Sequence, residues 1–299
     1  EAAAGSRMKQ ILERLTANRF LGVFVGAGIT AIIQSSSATT VMVVGFVNSG
    51  MMTLIQAVWI IMGANIGTTI TGQLIALDVG ALAPLFAFCG VALVVFTKKV
   101  KLHHWGLIVA GLGILFIGMD MMSTAMMPLR ASPAFVNLMT RFSNPALGIL
   151  AGAIFTAAIQ SSSASVGILQ ALAVTGAITF EIALPIIMGI AIGAAVPVLL
   201  SALGANLHGK RTAFIYLLID VLGVLIWSLL FYGANAIVHF TFMSTVMSSV
   251  SIALMNTLFR LATVIVLLPC IGLMERLMEA LFPDTGAHPE EQDMDRLEE

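Results

Sequence analysis

A polar motif of five residues occurs twice inside long apolar stretches of this chain, at residues 34–38 and again at residues 160–164. Both copies read Gln-Ser-Ser-Ser-Ala, and they lie 126 positions apart. Four consecutive polar side chains in an apolar segment are costly, because membrane hydrocarbon cannot satisfy their hydrogen bonds. Two copies of the same costly motif therefore predict a duplicated fold with one site built from both copies.

The composition indicates that the chain lies in a membrane. It has 299 residues, of which 59% are hydrophobic and 10% are charged, whereas a soluble domain has about 25% charged residues. Apolar runs of about 20 residues, enough for a helix to cross a bilayer, recur along the chain. The net charge of −1 gives no basis for a nucleic-acid partner. We therefore predict an all-α polytopic membrane protein.

The duplication extends well beyond the motif. Residues 18–74 align with residues 144–200 without a gap, and 23 of the 57 aligned positions are identical. An apolar helix is predicted over residues 105–127, before the second copy, so we expect its counterpart upstream of residue 1. The predicted parts are repeat 1 over residues 1–104, repeat 2 over residues 105–240, a final transmembrane helix over residues 241–282, and a cytoplasmic acidic tail or start of a soluble domain over residues 283–299.

The apolar arms beside each motif are short. Residues 20–33 would form a helix of about 21 Å, less than the hydrocarbon core of about 30 Å. Two short arms around a polar centre favour a re-entrant helical hairpin with the motif at its tip, and the alternative is a single crossing helix that is broken in the middle. The distribution of Lys and Arg between the loops also favours hairpins. Each repeat would then cross three times, which makes the two repeats inverted.

A longer apolar segment follows each hairpin and carries two glycines. In the first copy, residues 63–69 read Gly-Ala-Asn-Ile-Gly-Thr-Thr, and we expect the transmembrane helix to be broken by local unwinding there. In the second copy, residues 189–195 read Gly-Ile-Ala-Ile-Gly-Ala-Ala. Alanine therefore replaces the Asn and Thr residues that could bind a cation in the first copy.

The motifs carry the side chains that we expect to bind ligands. Hydroxyl and amide groups both donate and accept hydrogen bonds, and a hairpin tip also presents free backbone N–H and carbonyl groups. Because neither motif contains Lys or Arg, an anion would be held by neutral donors and co-bound cations. The predicted substrate-binding residues are Gln34, Ser35, Ser36, Ser37, Gln160, Ser161, Ser162 and Ser163. The predicted sodium ligands are Gln34, Ser37, Thr40, Asn65, Thr68, Thr69, Gln160 and Ser163.

Few other polar residues lie in the apolar runs. We interpret Asp220 and Arg260 as an ion pair between the last two long helices, with a structural role preferred over a role in transport. We expect Cys89 and Cys270 to be core residues rather than a disulfide or a metal pair. An embedded serine hydrolase would need a general base beside a motif serine. No histidine is evidently placed at either motif, so we expect that the protein is not an enzyme.

These motifs resemble those of the type II sodium–phosphate cotransporter family, in particular its bacterial members. The resemblance rests on QSSSATT at residues 34–40, GANIGTT at residues 63–69, the motif at residues 160–164 and the GLGILFIGM helix, and it covers roughly residues 1–275. It implies two inverted repeats and sodium-driven phosphate transport through a site shared by the two motifs. Bacterial members often continue into a PhoU-like helical domain, and the acidic C-terminal stretch resembles the approach to one. The alanines of the second copy depart from the family pattern, which puts one cation site in doubt.

We therefore predict a sodium-coupled symporter of inorganic phosphate that works by alternating access, with Na⁺ as the co-transported ion. The alternatives are a transporter of another small oxyanion or carboxylate, and a membrane receptor that senses phosphate. The predicted partners are phosphate, sodium and membrane lipid, with a homodimer as a candidate assembly. The predicted location is the bacterial inner membrane, with several crossings and a cytoplasmic C-terminus.

Overall fold

The computed structural model describes residues 10–77 and 80–283. This part of the chain is built from helices and contains no strand, in agreement with the predicted all-α membrane fold. The helices are α1 (Arg19–Ile33), α2 (Ser36–Asn48), α3 (Leu54–Gly67), α4 (Thr69–Ala76), α5 (Ala83–Phe96), α6 (Val100–Met126), α7 (Pro133–Arg141), α8 (Pro145–Ile159), α9 (Ser162–Ala173), α10 (Phe180–Gly193), α11 (Val196–Ser201), α12 (Leu207–Val238), α13 (Ser249–Leu267) and α14 (Ile271–Leu281).

Several of these helices can cross a membrane. By length and composition, five helical stretches among the described residues qualify, and a sixth does so if α7 and α8, which meet at 103°, are taken as one span. The outer surface is strongly apolar, with Phe24 79% exposed and Phe96 85% exposed. Such side chains suit contact with lipid tails. The five stretches are Leu54–Ala76, Val100–Ala131, Phe180–Ser201, Leu207–Val238 and Ser249–Leu281.

The two copies of the duplicated segment pack in the same way. Helix α1 lies against α3, and α8 lies against α10, with glycines at the closest points. A Cβ atom on Gly63 would lie 2.0 Å from the carbonyl oxygen of Val23, and one on Gly189 would lie 2.0 Å from that of Ile149. Only glycine allows backbones to approach this closely. Glycines at aligned positions of the two copies therefore lie at contacts between helices.

The predicted unwinding of residues 63–69 is largely absent. Helix α3 continues to Gly67 and α4 begins at Thr69, so that only Thr68 separates them, with torsions φ −64° and ψ −21° that are close to helical values. In the second copy the interruption is Ala194 and Ala195. The prediction was therefore right about the position of the break and wrong about its extent, because the glycines permit close packing instead of opening the helix.

Two other predictions need correction. The apolar run over residues 81–96 predicts a further crossing, but it forms α5, a helix of 14 residues. At 1.5 Å per residue this helix spans about 21 Å, and it packs along the longer α6. Cys89 and Cys270 are free and exposed rather than buried. An apolar position of a membrane helix can face lipid as well as protein, so hydrophobicity alone did not distinguish these surfaces.

The buried apolar residues form two clusters that meet along the long helices α12 and α13. One cluster contains residues of α2, α3 and α14, and the other contains residues of α9 and α10. On α12, Ile219 belongs to the first cluster and Val224 to the second. On α13, Phe259 belongs to the second cluster and Val264 to the first. Asp220 and Arg260 lie at these two boundaries, so the predicted ion pair falls where the two halves join.

Part of the domain prediction lies outside the described residues. The acidic tail predicted over residues 283–299 falls there except for Pro283, and so do residues 1–9. The inversion of the second repeat, the entry of the hairpins into the bilayer and the domain boundaries stay predictions.

Candidate functional site

Each polar motif begins with a glutamine that ends a helix. Gln34 follows α1 with φ 61° and ψ 26°, and Gln160 follows α8 with φ 60° and ψ 27°. This left-handed conformation is uncommon for residues other than glycine, and it is typical of the position where a helix stops. The backbone N–H groups of the two glutamines donate to the carbonyl oxygens of Thr30 and Thr156. The same sequence therefore produces the same turn in both copies.

The first serine of each motif begins the next helix. The Oγ atom of Ser35 accepts a hydrogen bond of 3.2 Å from the N–H of Ala38, and that of Ser161 accepts an equal bond from Ala164. This is the N-cap arrangement, which satisfies an N–H group at the start of a helix. Both serines were predicted to bind substrate. Their hydroxyl oxygens cap α2 and α9, which leaves the hydroxyl protons for a further acceptor.

The chain folds back on itself at each motif. The hydroxyl of Thr30 donates to that of Thr39 at 3.0 Å, and the hydroxyl of Thr156 donates to that of Ser165 at 2.9 Å. Residues nine positions apart in one continuous helix would be separated by about 13.5 Å along its axis. The α1–α2 and α8–α9 segments are therefore helical hairpins with Gln34–Ser35 and Gln160–Ser161 at their turns.

The first hairpin connects its motif to two other helices. Ser36 is buried, and its side chain neighbours that of Tyr216 on α12. Gln34 is exposed, and its side-chain oxygen accepts a 2.7 Å hydrogen bond from Thr71 on α4. The motif thus has one side chain that points into the protein and one at its edge.

The second hairpin borders a small buried cavity. Ser162, Ser163, Thr68, Asn256 and Arg260 lie around it. The hydroxyl groups of Thr68 and Ser163 are 3.4 Å apart, so the broken helix of the first copy contacts the motif of the second. About 10 Å³ of the cavity is open to a water-sized molecule, which is room for about one water. The site therefore combines side chains from both copies and is closed in this conformation.

A buried ion pair lies at the same place. The Arg260 side chain donates to Asp220 Oδ1 at 2.7 Å, and the two side chains are only 3% and 2% exposed. This confirms the predicted ion pair. Asn65 Nδ2 also donates to Asp220 Oδ1, at 3.2 Å. Since Arg260 borders the cavity, the pair belongs to the candidate site as well as to the helix interface.

Asn65 Oδ1 and Asp220 Oδ2, at the ion pair, and Thr40 Oγ1, on α2, are buried and have no hydrogen-bond partner among the described residues. Buried polar atoms are nearly always paired, so each of these oxygens needs an explanation. Hydroxyl, amide and carboxylate oxygens are the ligands that hard cations prefer. Their chemistry therefore fits an alkali cation.

The predicted site residues fall into two groups. Those whose side chains reach the buried cluster or the cavity are Ser36, Asn65, Thr68, Ser162 and Ser163. The second group does not reach the cluster or the cavity in this way. Ser37 is half-buried, Gln160 is exposed, and the Thr69 hydroxyl donates to the carbonyl oxygen of Ile66 at 2.8 Å. Sequence reasoning missed Tyr216, Asn256 and the position of the ion pair at the site. The spacing of Tyr216 and Asp220, four residues apart on one helix face, was the available signal.

Comparisons with known proteins agree with this architecture. A family described as Na⁺/Pi-cotransporter matches the chain twice, over residues 1–124 and residues 125–252. Each match contains one copy of the motif. No solved structure matches the chain.

Three relatives illustrate the range of similarity. The "Putative inorganic phosphate export protein YjbB" of Escherichia coli is 30% identical over 223 residues, which cover 74% of this chain and 41% of that protein. The "Uncharacterized protein YqeW" of Bacillus subtilis is 28% identical over 94% of this chain and 90% of that protein. The human "Sodium-dependent phosphate transport protein 2B" is 46% identical over 63 residues, 21% of this chain and 9% of that protein.

This chain spans about two fifths of the length of the Escherichia coli relative. The double family match covers most of the chain and includes both motifs and both glycine-packed helix pairs. This chain therefore belongs to the Na⁺/Pi-cotransporter family, whose members are membrane transporters.

Proposed function

We propose that this chain is a sodium-coupled symporter of inorganic phosphate. The observation that carries the proposal is the meeting of both motifs at one buried polar cluster. Ser36 of the first motif neighbours Tyr216, which is four residues before Asp220 on α12, and Ser162 and Ser163 of the second border the cavity beside Arg260. Two helix starts with hydroxyl groups suit an anion, because their N–H groups and hydroxyls donate hydrogen bonds.

The cation site that we propose uses oxygen ligands around the break between α3 and α4. Asn65 has a free buried oxygen, and the Thr68 hydroxyl lies 3.4 Å from that of Ser163. A cation held there would offset the charge of an anion in the same low-dielectric region. Thr40, Thr69, Ser37, Gln34 and Gln160 complete the proposed ligand set.

Transport through this site requires the protein to open. The cavity admits about one water molecule, and a phosphate ion is larger. We propose alternating access, in which the helices that carry the two hairpins move relative to the others and open the site to one side of the membrane at a time. The closed conformation would then be an occluded state of the cycle.

Radiolabelled phosphate flux into proteoliposomes, with and without a sodium gradient, tests the proposal. Ser36→Ala and Ser162→Ala should each reduce sodium-driven uptake by at least about tenfold. Each substitution removes a hydroxyl donor, and a hydrogen bond to a charged ligand contributes roughly 1.5–3 kcal/mol. Ser201→Ala is the matched control, because the Ser201 hydroxyl donates to the carbonyl oxygen of Val198 and lies outside the site. Normal flux in both motif variants would remove these serines from the mechanism.

The direction of net transport is a separate question. The Escherichia coli relative is named for phosphate export, and a symporter runs in whichever direction the combined gradients favour. Efflux from preloaded vesicles, measured with reversed sodium gradients, should therefore occur at a rate comparable to uptake. Flux of sulfate or a small carboxylate in place of phosphate would support the alternative carriers, and phosphate binding without flux would support a receptor.

We also propose that the protein lies in the bacterial inner membrane with its C-terminus in the cytoplasm, and that it forms a homodimer. The basic residues of loops such as those around Lys98 and Lys210 support this orientation. Cysteine-accessibility labelling of these two loops in cells tests the orientation, and labelling from the outside would contradict it.

A further inference from the structure

The ion pair at the site uses only part of the hydrogen-bonding capacity of its two side chains. Arg260 contacts Asp220 through a single donor and a single oxygen. Asp220 Oδ2 and Arg260 Nε are buried and have no partner among the described residues. A guanidinium group and a carboxylate that served only to hold two helices together would be expected to form two parallel bonds. Each partner therefore keeps an unused hydrogen-bonding position, and Arg260 borders the cavity.

The two unused positions suit ligands of opposite charge. Arg260 borders the same cavity as Ser162 and Ser163, and a guanidinium group with adjacent hydroxyls binds oxyanions well. Within the described part of the chain, Asp220 Oδ2 and Asn65 Oδ1 have no partner, and the two side chains are joined by a 3.2 Å hydrogen bond. A carboxylate and an amide oxygen beside each other are suitable ligands for sodium.

We infer that the guanidinium group of Arg260 binds the transported anion. When the anion is absent, this group is paired with the carboxylate of Asp220 instead. When an anion binds, the guanidinium group exchanges Asp220 for the anion. The carboxylate of Asp220 is then free to bind sodium together with Asn65. This inference rests on the proposed function, and it assigns to the ion pair the coupling between the two ligands.

Such an exchange makes the two binding events depend on each other. A sodium ion bound to Asp220 weakens the ion pair with Arg260 and so raises the affinity for the anion. The bound anion raises the affinity for sodium by the same factor. The coupling ratio, defined here as the phosphate Kd without sodium divided by the phosphate Kd at saturating sodium, should be about 10–100 for the natural protein. An ion pair with a purely structural role would have no effect on this ratio.

Equilibrium binding of radiolabelled phosphate to the purified chain in detergent, in sodium or in choline buffer, measures the ratio. In Asp220→Asn, Arg260 no longer has a competing carboxylate. We expect phosphate in choline buffer to bind about tenfold more tightly than to the natural protein, with a coupling ratio near 1. A ratio unchanged from the natural protein, with phosphate binding intact, would overturn the inference and leave the proposed function standing.

Arg260→Lys provides a second test that keeps the charge of the pair. Lysine cannot reproduce the planar fork of donors, so phosphate affinity should fall by about tenfold or more while the unfolding temperature stays close to that of the natural protein. Unchanged phosphate affinity in this variant would also overturn the inference.

Two further comparisons separate the possible outcomes. Arg211→Gln is the matched control, because Arg211 is also buried on α12 but donates to the carbonyl oxygen of Phe282, away from the cavity. It should keep the natural coupling ratio. Absence of any sodium-dependent phosphate binding in the natural protein would overturn the proposed function, and this inference with it.

Discussion

The two copies of the duplicated segment have the same framework and different chemistry. The helix-ending glutamines Gln34 and Gln160 agree within 1° in φ and ψ, and the capping bonds of Ser35 and Ser161 have equal lengths. The broken helices differ completely in polarity. The first carries an asparagine and two threonines over residues 63–69, whereas the second carries only apolar residues and glycines over residues 189–195.

This contrast indicates that the two properties are under different constraints. Close helix packing and a chain reversal depend on the backbone, so both copies need the same glycines and the same motif. A single ligand site between the copies needs each polar group only once. Thr68 from the first copy meets Ser163 and Arg260, and Asn65 donates to Asp220, all of which follow in the second half of the chain. A symmetric framework can therefore hold an asymmetric site.

The largest expected effect concerns the shared framework. Gly63→Ala and Gly189→Ala would each place a methyl group 2.0 Å from a backbone carbonyl oxygen, so the packed helices must separate. Overpacking of this kind costs about 1–3 kcal/mol or more, and we expect both variants to lose most of their folded, monodisperse protein. Fluorescence-detected size-exclusion chromatography measures this. Gly45→Ala is the control, since a Cβ atom there meets nothing within 4 Å.

If only one of the two glycine variants were destabilised, the copies would not share one packing mode. The symmetry of the framework would then be limited to the hairpin turns.

The next largest effect concerns the chemistry that only the first copy has. Asn65→Ala removes the free buried oxygen of Asn65 and its hydrogen bond to Asp220. We expect the sodium concentration for half-maximal phosphate uptake to rise by about tenfold, equivalent to about 1.4 kcal/mol. Asn235→Ala is the control, because the Asn235 side chain accepts from the N–H of Phe240 outside the site. An unchanged sodium dependence in Asn65→Ala would exclude Asn65 as a ligand.

The smallest effect should be equal in the two copies. Thr30→Val and Thr156→Val keep the side-chain shape and remove the hydroxyl bond that joins the arms of each hairpin. Each loss should cost about 1 kcal/mol, because Thr39 and Ser165 also donate to the carbonyl oxygens of Ser35 and Ser161. Thermal unfolding in detergent should therefore shift by similar amounts. A shift in only one variant would show that the hairpins differ in stability.

Much of the framework was predictable from local sequence signals. The helices around each motif and the ion pair of Asp220 and Arg260 follow from apolar runs and from charges in apolar surroundings. The extent of the break at residues 63–69 was not predictable, because glycine favours both unwinding and close packing. Only the position of the neighbouring α1 decides between them.

The sequence by itself determined that this chain is a duplicated helical membrane protein with two matching polar turns. Those properties depend on residues close together in the chain or repeated at a constant spacing. The tertiary structure alone decided which polar groups meet. Arg260 lies about 100 residues after the second motif, and it reaches the cavity only because α12 and α13 pass between both halves of the protein. Such long-range contacts depend on how the helices pack, and hydrophobic patterning does not specify them.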